Sequence, residues 1–142
     1  MAEIYEVMEV LEAFSGRLAA RHAGASDVAA IKALLHEAEE PTRTGDIPTL
    51  RLLNYRFHRL VHLASRNDQL ARELNRLLNL VSLSPTTIYA EPGRAEQAMA
   101  EHQAILDAII NRDEELAARL SEEHKRRDKE ARLAQMLASA HG

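Results

Sequence analysis

Apolar residues recur along this chain at steps of three and four, the period of one buried face of an α-helix. Ile4, Val7, Leu11, Phe14 and Leu18 set the rhythm and predict a first helix over residues 2–22, which Gly24 stops. Ser26 is placed to cap a second helix, with Ala29, Ala30, Leu34 and Leu35 as core positions and Pro41 beyond its end. Thr44-Gly45-Asp46 reads as a loop; Asp46 can cap a third helix, and Pro48 falls in its first turn, where a missing N–H does no harm. That helix carries Leu53, Phe57, Leu60, Val61 and Ala64. Asn67-Asp68 separates it from a fourth, built on Leu70, Leu74, Leu77, Leu78 and Val81, which Pro85 is expected to kink or interrupt. After a loop from Tyr89 to Gly93, a fifth helix runs through Ala95, Met99, His102, Leu106 and Ile109. Asp113 can cap a sixth, which passes Leu116, Leu120, His124 and Ala131 and reaches about Leu137. No stretch alternates with period two, and there is no internal repeat or low-complexity tract. The pattern predicts an all-α fold, an antiparallel bundle of about six or seven helices forming a single domain over residues 1–142.

Composition narrows what such a bundle can do. A chain of 142 residues with 46% hydrophobic and 28% charged positions suits one ordinary globular core. There is no cysteine, which removes disulfides, thiolate metal sites and cysteine nucleophiles and leaves His, Asp, Glu and Asn as possible ligands. The same absence fits a reducing cytoplasm. A formal net charge of -4 argues against binding a phosphate backbone. The basic run Lys125-Arg126-Arg127 is followed by Asp128, Lys129 and Glu130, and reads as a solvated mixed helix face. No apolar run is long enough to span a membrane, and the acidic, amphipathic start is unlike a signal peptide.

Within this plain framework three histidines stand out. On the third predicted helix, Asn54 lies roughly 70° from the centre of the apolar face, His58 roughly 110° and His62 roughly 150°. Asn54 and His58 therefore flank the core, and His62 is expected to tend toward solvent. His102 falls between Met99 and the Ile105-Leu106 pair, and His124 extends the Leu116-Leu120 ladder by one turn. Each ring nitrogen placed in a core needs a partner. Two readings stay open on periodicity alone: separate core imidazoles bonded to carbonyls, or three rings converging from three helices on one metal ion. Asn54, one turn before His58, is a possible further donor. A His58–His62 pair at i,i+4 is a competing chelating assignment, but it leaves His102 and His124 unexplained.

The run Phe57-His58-Arg59-Leu60-Val61-His62-Leu63-Ala64-Ser65-Arg66-Asn67 resembles the D-x-x-x-F-H-x-x-L-x-x-A-S-x-N motif of the FCD domain. That domain is the C-terminal, ligand-sensing half of FadR-subfamily GntR transcriptional regulators. Glu101-His102-Gln103-Ala104-Ile105-Leu106-Asp107-Ala108-Ile109 resembles its E-H-x-x-I-L-x-A-I motif, and Ala117 to His124 resembles its later A-x-x-x-x-x-x-H motif. Leu11-Glu12, followed by Leu18-Ala19-Ala20, fits the family's first helix. The resemblance covers essentially the whole chain.

It implies a bacterial, cytoplasmic sensor domain for effector binding and homodimerisation, with exposed leucines on the first and fourth predicted helices as candidate dimer surface. In metal-binding members an Asp and three His hold a divalent ion. Carried over, the histidines are His58, His102 and His124, and Asn54 stands where the family has Asp. Zinc or nickel suits the imidazoles, and an oxygen donor extends the choice to manganese. A small organic acid is the implied effector, bound through its carboxylate at the open metal positions. Met8 stands where members often carry an Arg, for which Arg17 is the candidate substitute. No winged helix is legible, so the chain is expected to be a sensor domain, a fragment or a stand-alone form, touching DNA only through a domain it lacks.

Two rivals come from other classes. Three His and an open position also describe a catalytic zinc site, as in a metal-dependent hydrolase. Glu101, the nearest candidate base, points about 100° away from His102 on its helix, and no His-Glu hydrolase signature is present. The other rival is a metal-free helical interaction module. The expectation is therefore a sensor and not an enzyme.

Overall fold

The computed structural model describes residues 1–141. Among them are seven α-helices and no strand: α1 (Ala2–His22), α2 (Ala25–Glu37), α3 (Glu39–Thr44), α4 (Ile47–Ala64), α5 (Asp68–Ser82), α6 (Arg94–Ile110) and α7 (Glu114–His141). A single 3-10 turn, Ile88–Ala90, joins α5 to α6.

Local chemistry explains most boundaries. Asp46 accepts from the Thr49 N–H at the start of α4, Asn67 from the Leu70 N–H at the start of α5, and Asp113 from the Leu116 N–H at the start of α7. Four expectations are corrected. The second helix is capped by Gly24, whose N–H donates to Asp27, and not by Ser26. Its Ala29 and Ala30 are exposed, and Ile31 joins Leu34 and Leu35 inside. Pro41 lies within a further short helix, α3, which ends at Gly45 with φ of 73°, a conformation glycine adopts without strain. Pro85 does not kink α5, which has already ended at Ser82.

Side-chain pairs fix the directions of the long helices. Between α1 and α7, Tyr5 meets Arg132, Glu9 meets Lys129, Arg17 meets Glu115 and Arg21 meets Glu114, so the two run antiparallel. Their closest approach is at Gly16, where an added Cβ would sit 2.7 Å from the Ala117 carbonyl oxygen. Tyr55–Asn79 and His62–Asn75 show the same relation for α4 and α5, and Arg94–Asp128 and His102–His124 show it for α6 and α7. The main core is formed where α2, α4 and α6 bring together Ile31, Leu34, Leu53, Phe57, Leu106 and Ile109. α4 is packed against α1, α2, α3, α5 and the 3-10 turn, and its solvent face is confined to a stripe through Leu52, Arg56, Arg59 and Leu63.

Candidate metal centre and adjoining cavity

The antiparallel packing carries His58 on α4, His102 on α6 and His124 on α7 to one point inside the bundle. All three are buried, and one ring nitrogen of each lies within 4.8 Å of the others. His124 Nε2 is 3.2 Å from His102 Nε2 and 3.4 Å from His58 Nε2. Donors of one tetrahedral zinc ion at about 2.0–2.1 Å sit about 3.4 Å apart, so these separations suit a single ion.

The rings are held in place by their surroundings. The Phe57 ring stacks on His102 at 3.9 Å and 17°. His124 Nδ1–H donates to Glu101 Oε1 at 2.6 Å, which fixes the ring with its Nε2 turned toward the other two histidines. Burial, followed by the positive charge of Lys125 and the neighbouring imidazoles, pushes His58 well below the usual histidine range. Burial and His124 do the same to His102. Both are thus held neutral, the form that binds metals. Asn54 is half-buried, and its Oδ1 is fully enclosed with no hydrogen-bond partner. An orphaned buried acceptor one turn from His58 is what a ligand oxygen looks like without its ion. The donor set therefore fits a divalent metal.

Carboxylates missed by the sequence reading surround this group. Glu101 does point away from its neighbour His102, but it reaches His124 across the helix pair and also accepts from Arg94 at 2.8 Å and 3.0 Å. Burial opposes its charge, yet the bonds from His124 and Arg94 hold its carboxyl down at about 2. Asp128 is buried on α7; Arg94 donates to its Oδ1 at 2.7 Å, and its Oδ2 lies 3.4 Å from His124 Nε2. Burial works against its charge too, but His124, Lys125 and Arg94 keep it well below the usual carboxylate range. The Lys125–Glu130 run is therefore not a plain solvated face: Arg126 and Arg127 are exposed, whereas Lys125 and Asp128 turn inward. The missed signal was the i,i+4 spacing from His124 to Asp128.

His62 overturns its expectation. It is 0% exposed, with Nε2 2.7 Å from Glu12 Oε1 and Nδ1 2.8 Å from Asn75 Oδ1. The angular reading assumed that α4 faces solvent on one side, but α1 and α5 cover that side. Both of its nitrogens are occupied, so it is not half of a His58–His62 chelate.

A cavity of about 50 Å³ is lined by Asn54, Lys125, Asp128, Arg132 and Arg51; it shares Asn54 with the candidate donor set, and Lys125 and Asp128 follow His124 on α7. Met8 also lines it and is fully buried. Arg17 does not replace an arginine at that position; it pairs with Glu115 at the surface. The cations at the cavity come instead from α4 and α7.

Comparisons with known proteins agree with this architecture. The FCD domain profile matches residues 3–127. A GntR protein of Streptococcus agalactiae has a similar structure, with a TM-score of 0.69 and 21% identity over 87% of this chain and 54% of its own. E. coli McbR/YncC is similar with a TM-score of 0.78 and 18% identity, over 95% of this chain and 65% of its own. The chain thus spans between half and two thirds of the length of these two neighbours, and identities so low speak to the fold alone. A comparison with curated protein sequences finds no match. Because the profile match runs through most of the chain and contains all three histidines of the cluster, the chain belongs to the FCD domain family.

Proposed function

We propose that this domain senses a small organic acid through a divalent metal ion held by His58, His102, His124 and Asn54. The observation that carries this reading is the set of buried imidazoles from three helices whose facing ring nitrogens are 3.2 Å and 3.4 Å apart, together with the orphaned Asn54 oxygen one turn before His58. Zinc or nickel suits three neutral imidazoles, and the amide oxygen keeps manganese within range. When bound, the ion would supply Lewis-acid chemistry at the histidine cluster.

The cavity supports an anionic effector. Lys125 and Arg132 are buried in its wall, and Arg51 stands exposed at its edge. A buried ammonium with only an ion pair at 3.5 Å to Asp128 is poorly satisfied, and an incoming carboxylate would complete it. A cavity of about 50 Å³ takes roughly three or four waters, which points to an acid of few carbon atoms. Because Asn54 is neutral, it brings no charge of its own to offset the ion.

Such an effector would touch α4 and α7 together, and α1 packs along α7 between Glu114 and Arg132. On α1, Val7, Val10 and Phe14 form an exposed apolar stripe, whereas Leu11 and Leu18 turn inward. The stripe, in place of the leucines expected on that helix, is the proposed homodimer surface, with Leu80 on α5 as its neighbour candidate. In a longer regulator, effector binding would shift how two DNA-binding domains are spaced. No helix among the described residues is long and apolar enough to cross a membrane, which is consistent with the proposed cytoplasmic location.

The test is calorimetry on protein purified without a histidine tag, stripped of metal and then reloaded with zinc or nickel. Acetate and lactate are expected to bind the loaded protein and not the stripped one. Failure of the chain to take up near one equivalent of either metal would remove the reading, and equal acid binding with and without metal would remove its effector half.

A further inference from the structure

We infer that Asp128 is the carboxylate that balances the metal's charge in this centre, the part that the amide at position 54 does not play. The inference rests on the metal reading above and adds a residue that no motif supplied. Asp128 Oδ2 lies 3.4 Å from His124 Nε2, as far from that nitrogen as His58 Nε2 is. Asp128 Oδ2 is thus close to the ligand nitrogen of His124, while it lies outside the 4.8 Å group that the three imidazoles form, so it sits at the edge of the centre.

The placement follows from the helix. Asp128 is four residues after His124 on α7, the separation that puts two side chains on one face. Arg94 holds Oδ1 at 2.7 Å, and Oδ2 lies toward the histidine side, shared with Lys125 Nζ at 3.5 Å. Asp128 shares that cavity wall with Asn54 and Lys125. Glu101 cannot take the role, since it bonds the opposite nitrogen of His124, Nδ1, and the buried Glu12 is taken by His62.

Charge makes the same demand. Three neutral imidazoles and an amide leave a divalent ion uncompensated, with Lys125 and Arg94 already close by. An unbalanced buried charge is costly unless an anion meets it, and Asp128 is the buried anion on that side. The negative charge at the centre has thus moved from α4 to α7.

A swap tests this. Zinc affinity is measured by competition with a chromophoric chelator on the full chain, for wild type, Asp128→Asn, Asn54→Asp and the double variant. Asp128→Asn should weaken zinc at least tenfold, and adding Asn54→Asp should return affinity to within about threefold of wild type. If Asp128→Asn binds zinc within twofold of wild type, the role is overturned while the metal site stands. If the loss is not restored by Asn54→Asp, Asp128 serves only to hold Arg94 and Lys125, and the inference also falls. If wild type itself takes up no metal, the underlying reading has failed instead. Should Asp128→Asn not fold, carboxyl 13C NMR of wild type decides. The Asp128 signal should move on adding one equivalent of zinc, and an unmoved signal would overturn the assignment.

Discussion

Two buried histidine sites lie one turn apart on α4, and they are opposite in kind. His62 is completed by its own protein, with Glu12 on one nitrogen and Asn75 on the other. His58, with ring centroids 6.4 Å from His62, faces His124 and through it His102, nitrogen against nitrogen. A satisfied imidazole is cement between α1, α4 and α5. The group of three turns ring nitrogens toward one another, the arrangement proposed to hold a metal ion. The lesson is that burial alone does not mark a functional histidine; what the second nitrogen finds there does.

The largest expected effect separates the two sites by opposite readouts. His102→Ala or His124→Ala should lower zinc affinity by at least a hundredfold in a chelator competition. His62→Ala should leave it within threefold but cost about 3–5 kcal/mol of stability in urea unfolding, because Glu12 is left buried without its partner. A large loss of zinc affinity in His62→Ala would erase the distinction. Next, Gly16→Ala should destabilise by roughly 1–3 kcal/mol, since its methyl group meets the Ala117 carbonyl at 2.7 Å. A melting temperature equal to wild type would show that α1 and α7 separate more easily than their packing implies.

Acidity should sharpen the contrast further. His58 and His102 are held below their ordinary value, so below about pH 6.5 the unfolded chain takes up protons that the native state refuses. Stability of the metal-free protein is therefore full above that pH. It should fall as pH drops through it, by up to about 1.4 kcal/mol per pH unit for each histidine. Glu101, held down at about 2, adds a second loss of the same sign below about pH 4.5. Urea titrations of stripped protein between pH 8 and 5 would check the first window, and a flat profile would mean that the imidazoles are not held neutral. The smallest effect is second-hand: Glu101→Gln should weaken zinc by about tenfold through a poorer hydrogen bond to His124 Nδ1.

Periodicity made most of the helices legible because each buries an apolar stripe, and the caps at Asp46, Asn67 and Asp113 were readable as side chains with one available donor. It placed His102 and His124 inward correctly for the same reason. It failed at His62, because an angle measured on a single helix knows nothing of neighbours that cover its far side. It also failed for Lys125 and Asp128, whose charges hid the fact that α7 is buried on more than one face near His124. Glu101 was read only against its sequence neighbour, although its partner sits on another helix. Pairings across helices are tertiary facts, and a linear pattern does not carry them.

The central claim is that His58, His102 and His124 share one metal ion. Anomalous diffraction at the zinc or nickel edge, from crystals of reloaded protein, addresses it most directly. The account predicts one strong peak at about 2.0–2.2 Å from all three Nε2 atoms, with the Asn54 oxygen turned toward it. A peak bound to the exposed histidines alone, or none between the three rings, would contradict it.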